Sequence, residues 1–407
     1  MKRRKLLQSI ALATGGLVLP VSCRSWVASG NNQDKNPPRL VVVLLRGAVD
    51  GLSIVVPHQE PEYYIQRPNI SVARPGEKKG AMDLDGFFGL HPGLKDLMPS
   101  WQQKNLAFIC NSGSPDETRS HFDAQNYLEN GTPGVKKTPD GWLNRLLGQL
   151  HQDNPTQALN VGNVTPRIMQ GKMSVASLRP GKYTLANIPL DRDVIGTAFD
   201  GLYGGDSKLD RVYQEGRKAR EIIIKELTQE MMSASGKALS PSQFVDDAAE
   251  VAKLIAGNTQ TQLAFMDIGG WDTHIQQPGM LDSALPDVGK GLATLVKNLG
   301  DAYNNTAIVV LSEFGRTVKE NGNNGTDHGH GNFIWLLGGA IKGGKVYGNW
   351  TGLETANLYQ KRDLPVTTDF RDAIASILKN HLQLNSQQIA SVFPDYPLSA
   401  DKLNLIR

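Results

Sequence analysis

The sequence predicts an α/β protein, a mainly parallel β-sheet covered by helices on both faces. Three observations carry that expectation. Runs at 39–45, 106–110, 262–268, 306–311 and 333–337 are almost continuously apolar and rich in β-branched residues, as strands buried on both faces are. Longer stretches with apolar residues at helical spacing alternate with them. With 40% hydrophobic and 20% charged side chains in 407 residues, the composition is that of a globular chain able to bury a large core.

The chain opens Met1-Lys2-Arg3-Arg4-Lys5-Leu6-Leu7, followed by the uncharged run 10–19 and the small residues of Val27-Ala28-Ser29. A basic start, a short apolar stretch and a small-residue cut are the parts of a secretory signal, and the arginine pair marks its twin-arginine class. Residues 1–29 are therefore expected to be a signal read by the twin-arginine translocase, which places the protein in the periplasm or outside the cell. A run this short cannot span ~30 Å of hydrocarbon, which takes about 20 residues. Lipidation of Cys23 is the weaker expectation, because Pro20 stands at the third position before it.

Removing that segment changes the charge balance. Of 43 Lys and Arg, five lie in residues 1–29, leaving 38 against 40 Asp and Glu. Nothing in that balance points to nucleic acid or an anionic membrane surface. Of the two cysteines only Cys110 remains, within an apolar run, so it reads as a core thiol and no internal disulfide is expected.

Residues 30–38 are polar and end in Pro37-Pro38, a linker into the first strand, and 39–407 read as one domain. Helical patterns follow at 92–103, 121–129, 141–150, 207–235, 241–255, 283–303 and 370–382. The segment 155–205, rich in Gly and Pro with weak periodicity, reads as an excursion from the sheet.

Ligands of open α/β sheets bind beyond the carboxyl ends of the strands, so the polar residues there carry most weight. After the first run come Arg46-Gly47-Ala48-Val49-Asp50-Gly51, and after the second, Arg119-Ser120-His121. The run ending at Ile268 leads to Gly270-Trp271-Asp272-Thr273-His274, and the next to Ser312-Glu313-Phe314-Gly315-Arg316. Before the last run lies Thr326-Asp327-His328-Gly329-His330-Gly331. Carboxylate and imidazole together suit a divalent cation, with Zn, Mn, Ca and Mg all open and one or two ions expected. Arginine forks suit phosphate or sulfate oxygens, which gives Arg46, Arg119 and Arg316 a place in the catalytic set.

The same phrases, with Arg119-Ser-His-Phe-Asp-Ala-Gln and Thr368-Asp-Phe-Arg-Asp, resemble the bacterial domain-of-unknown-function 1501 family over nearly all of the chain beyond the signal. That family is similar to the alkaline phosphatase-like superfamily of phosphatases and sulfatases. The resemblance implies a three-layer α/β/α sandwich with metal beside a hydroxyl or thiol nucleophile. It implies Asp50 as a first metal ligand and Ser120 as nucleophile, with His121 beside it. Asp272 and His274 resemble the other metal site, completed by His328 or His330. One place departs from the superfamily: where an Asp-His pair is usual the chain has Glu313-Phe314, and Glu313 is assigned as the carboxylate near Asp50, with Asp327 counted among the ligands.

The function expected is an exported, metal-dependent hydrolase of phosphate or sulfate esters on a small ester or glycan. The alternative is a non-catalytic exported binding protein that keeps the fold and a structural metal.

Overall fold

The computed structural model describes residues 36–150, 154, 156–162, 164–178, 193–219, 243–257, 260–397 and 403–407. The expected signal at 1–29 lies outside them, as does most of the linker and the second part of the helix expected at 207–235, of which residues 208–219 are helical.

Among the described residues the main sheet has nine strands. In chain order they are β1 (Arg39–Leu45), β2 (Leu106–Gly113), β3 (Ala158–Val161), β4 (Ala176–Leu178), β5 (Leu263–Ile268), β6 (Thr306–Leu311), β7 (Asn332–Leu337), β8 (Lys345–Tyr347) and β9 (Thr368–Asp369). The spatial order is β8-β2-β7-β6-β1-β5-β3-β4, with β9 pairing β2. β1 lies parallel to β5 and β6, β3 parallel to β4 and β5, and β8 and β9 parallel to β2. β7 runs antiparallel to both β2 and β6. The sheet is therefore mixed, and the reversed strand has a functional consequence: the entry of β7 lies at the same edge as the exits of its neighbours.

β1 shows why the apolar runs read as they do. Val41, Val43 and Leu45 pack into one core cluster, and Leu40, Val42 and Leu44 into another on the opposite face. Successive side chains alternate across a strand, so a strand covered on both faces has no polar positions left. The first cluster takes its helical side from α3 (Gln243–Gly257) and α4 (Gln277–Leu299), through residues such as Val251, Leu285 and Leu292. The second takes Leu143 and Leu146 of α2 (Trp142–Gln149), Ile374 and Ile377 of α5 (Phe370–Asn380), and Ile389 of α6 (Ser386–Val392). α1 (His121–Asn130) begins at the site edge.

Two expectations are corrected. Within 155–205, β3 and β4 belong to the main sheet and extend it beyond β5, so this stretch is not wholly an excursion. The pattern at 92–103 is broken into a 3-10 helix, Pro92–Leu97, and a short α-helix, Met98–Gln102. Among the described residues no helix is long and apolar enough to cross a membrane.

Candidate metal centre

Four loops meet at the shared edge, and a buried polar frame holds them. Arg316, 1% exposed, donates to the carbonyls of Gly47, Ala48, Trp271 and Thr326 and to Asp272 Oδ1, so one guanidinium joins three loops to its own. Gln277, at the start of α4, accepts from the hydroxyls of Thr273 and Thr326 at 2.8 and 2.6 Å and donates to Asp50 Oδ2. Close backbone approach needs glycine at two points. A Cβ on Gly47, whose φ is +116°, would stand 2.7 Å from the Asp272 nitrogen, and one on Gly325 would stand 2.3 Å from the His274 carbonyl. The loop before β7 then lies along residues 315–317: Gly315 donates to the His330 carbonyl, Thr317 to that of Asp327 and Gly329 to that of Gly315.

That frame brings three imidazoles and a carboxylate together. The donor atoms of His121, Asp272 and His328 all lie within 4.8 Å of one another. His121 Nε2 stands 3.0 Å from His328 Nε2 and 3.4 Å from Asp272 Oδ1. His274 Nε2 joins them at 2.9 Å from His328 Nε2 and 3.0 Å from Asp272 Oδ1, and His328 Nε2 lies 3.1 Å from the same oxygen. Two ligands ~2.0–2.1 Å from a tetrahedral zinc ion stand about 3.3 Å apart, so the donor spacing matches one small cation.

The protons on the rings strengthen the case. His121 Nδ1 is 2.8 Å from Glu313 Oε1, His274 Nδ1 is 3.1 Å from Asp327 Oδ1, and His328 Nδ1 is 2.9 Å from the Arg119 carbonyl. Each partner is an acceptor, so each Nδ1 donates its hydrogen outward and each Nε2 is turned toward the cluster. Three such nitrogens beside a carboxylate oxygen call for positive charge among them, from a proton or a cation. Histidine held through Nδ1 by an oxygen acceptor is the usual support of a metal ligand.

Burial tends to raise the Asp272 carboxyl, but the Arg316 guanidinium and the neighbouring imidazoles outweigh it and hold it down to about 2. Glu313 is likewise pushed up by burial and brought down to about 2 by bonds from His121, Gln125 and backbone N–H groups. The bond to Glu313 raises His121, whereas burial lowers His328. Asp272 and His274 keep 47% and 39% side-chain exposure, so the cluster faces solvent, as sites that keep an open coordination position do.

The other expected residues lie around this centre in different roles. Asp50, 1% exposed, is held by Arg67 Nη1 and Nη2 at 2.5 and 3.0 Å, by the Ser53 hydroxyl at 2.6 Å and by Gln277, and it is not among the donors that meet at His121, Asp272 and His328. Glu313 and Asp327 hold histidines and do not themselves point into it. His330 is buried against the Tyr359 ring, centroids 4.5 Å apart, and burial lowers its pKa. His328 itself forms an isolated bridge with Arg316, outside any regular strand. Arg46 pairs with Asp267 and Glu129, and Arg119 with Asp363. Ser120 is exposed and caps α1, its Oγ accepting from the Asp123 N–H at 3.5 Å. Phe314 packs against the rings of His121 and His328, at 4.8 and 5.2 Å between centroids. Sequence reasoning missed Arg67, Gln277 and Asp363; each acts across more than a dozen residues, and none stands in a motif.

The sequence profile of the family described as "Protein of unknown function (DUF1501)" matches residues 37–393, and the chain belongs to that family. A comparison with curated proteins finds no match. Solved structures it is similar to include Ps i-CgsB in complex with k-i-k-neocarrahexaose, at 12% identity over 87% of this chain and 74% of that one, TM-score 0.39. The zinc complex of the C-terminal periplasmic domain of EcEptC from Escherichia coli matches at 12% identity over 76% and 73%, TM-score 0.36. A TAB5 alkaline phosphatase mutant with Mg bound in its M3 site matches at 11% identity over 75% and 91%, TM-score 0.33.

Proposed function

We propose that this member of the DUF1501 family is a metal-dependent hydrolase of phosphate or sulfate esters, acting outside the cytoplasm on a small ester or glycan ester. Its domain is read as a three-layer α/β/α sandwich of the alkaline phosphatase-like kind. One observation carries the proposal: the convergence of three Nδ1-anchored imidazoles, His121, His274 and His328, on Asp272 Oδ1 at a solvent-facing edge. An imidazole-rich set suits zinc or another borderline ion better than calcium or magnesium. Such an ion, when bound, polarises an ester oxygen and lowers the pKa of a hydroxyl or water beside it.

The remaining chemistry belongs to the chain. Arg316 keeps Asp272 ionised and in place, and Glu313 and Asp327 hold the rings in their tautomers. Ser120, exposed at the N-terminus of α1 and one residue before His121, is the proposed nucleophile; unpaired helix N–H groups there favour an anionic oxygen. Arg46, Arg119 and Arg316 are bound to carboxylates, so they shape the mouth and its charge and are not free forks for the ester. Export through the twin-arginine translocase, read from Arg3-Arg4, places the reaction in the periplasm or beyond.

The test is metal analysis of protein purified without chelator, with turnover measured on a panel of aryl phosphates and aryl sulfates. The proposal expects bound divalent metal, its loss in His274→Ala and His328→Ala, and turnover that chelation abolishes. Protein without metal, or turnover indifferent to chelation, sinks it. The pairing of all three arginines favours a second reading, an exported binding protein with a structural metal. Stoichiometric metal without turnover on any substrate of the panel would select that reading.

A further inference from the structure

Beyond the ligands, we infer that Asp363 is a positioning residue for the metal centre, acting on His328 through two arginines; this rests on the metal reading above. Its carboxylate is wholly buried and gathers two guanidinium groups: Arg119 Nη2 at 2.7 Å from Oδ2, and Arg362 with Nε 2.9 Å from Oδ1 and Nη2 3.1 Å from Oδ2. Both arginines also hold His328. The Arg119 backbone carbonyl accepts from His328 Nδ1 at 2.9 Å, and Arg362 Nη2 donates to the His328 carbonyl at 2.7 Å. The imidazole is thus fixed at its ring by one residue of the clamp and at its backbone by the other.

The other two histidines make the comparison. His121 and His274 donate Nδ1–H directly to carboxylates, Glu313 and Asp327. His328 donates to a peptide carbonyl, whose place depends on where the Arg119 chain is held. Asp363 supplies that anchor one step further out. Its own backbone is fixed: the Asp363 N–H donates to the Tyr359 carbonyl at 3.0 Å, and the residue bridges Thr317, next to Arg316. Gln360 adds a second contact to Arg119 at 2.8 Å. Without the carboxylate, two guanidinium groups face each other with no charge between them. Residue 119 then keeps only the Gln360 contact in place of its charged anchor, and the acceptor that aims His328 Nε2 at the cluster loses that support. Losing a partner that orients a metal ligand costs 10–100-fold in affinity.

The test is a cobalt(II) titration of the full protein after exchange of its own metal, with visible absorption as a second readout, because the d–d bands report ligand geometry. Parent protein, Asp363→Asn and Arg362→Lys are compared. Asp363→Asn is expected to weaken cobalt binding about 10–100-fold and to shift the bands. Arg362→Lys keeps the charge but cannot fork to both Asp363 and the His328 carbonyl, so it weakens binding less. Parent-like affinity and spectrum in both variants, whatever happens to melting temperature, would show Asp363 to be structural only and overturn the inference. If Asp363→Asn does not fold, Arg362→Lys decides alone: an unchanged affinity overturns, a weakened one sustains. A parent protein that binds no cobalt removes the metal reading and the inference together.

Discussion

Asp50 and Arg67 form an ion pair buried to 1% and 0% side-chain exposure, with Ser53 and Gln277 completing the carboxylate's bonds. Removing one member of such a pair leaves a charge in the interior without compensation, which costs ~3–5 kcal/mol. Arg67→Met is therefore expected to lower the unfolding free energy by about that much in urea, while the metal content of the folded fraction stays at the parent value. Metal lost in proportion to the Arg67 change would return Asp50 to the ligand set. Ser120 poses the opposite question, since one hydroxyl can cap a helix or attack an ester. As a cap alone, Ser120→Ala costs ~1 kcal/mol and leaves turnover largely intact. As the nucleophile its loss abolishes turnover with metal and fold retained, and that is the expected outcome. Retention of more than half the activity with a lowered melting temperature would assign the hydroxyl to the helix and the attack to water.

At the scale of elements, the 3-10 helix Pro92–Leu97 shows how a loop histidine can set acid stability. His91 caps it: Nδ1 accepts from the Gly93 N–H at 3.0 Å, and burial lowers the ring to about 4 despite Asp282 nearby. An unfolded histidine takes its proton near 6.5, whereas the folded one resists until about 4. Below 6.5 the unfolded chain therefore binds more protons, so stability is full above that pH, declines as pH falls to about 4, and is not further affected by this group below it. His91→Asn, which keeps an acceptor at the cap, is expected to reduce the slope of unfolding free energy against pH in that window. An unchanged slope would assign the acid sensitivity to other buried histidines, such as His381, which burial also lowers.

For the whole molecule, metal and export are the two global expectations. A ligand held only by the folded state stabilises it by ~2.7 kcal/mol at a concentration of 100 Kd. Chelation is expected to lower the melting temperature, added zinc to restore it, and His274→Ala to abolish that response; a melting temperature indifferent to both would count against the centre. Replacing Arg3 and Arg4 by Lys keeps the charge and removes what the translocase reads, so unprocessed precursor is expected to remain in the cell, and normal processing would end that assignment. The covered strands were legible in the chain because strands buried on both faces have no polar position: 39–45 and 306–311 coincide with β1 and β6. The loops carrying Asp272, His274 and His328 were legible too, since carboxylate and imidazole beyond apolar runs point to one edge of a sheet. Only the tertiary structure settled which groups face one another. Ser112 and Gly113 continue β2 because Asn332, Thr368 and Asp369 pair with them. Reversed β7 carries His328 to the edge where β5 and β6 end, while Arg67 takes Asp50 into the interior and Asp363 fixes two arginines around His328. Sequence by itself determines what each segment must bury, because burial depends on its own side chains. The partner of a charge depends on which distant segment the fold sets beside it, and no local pattern encodes that.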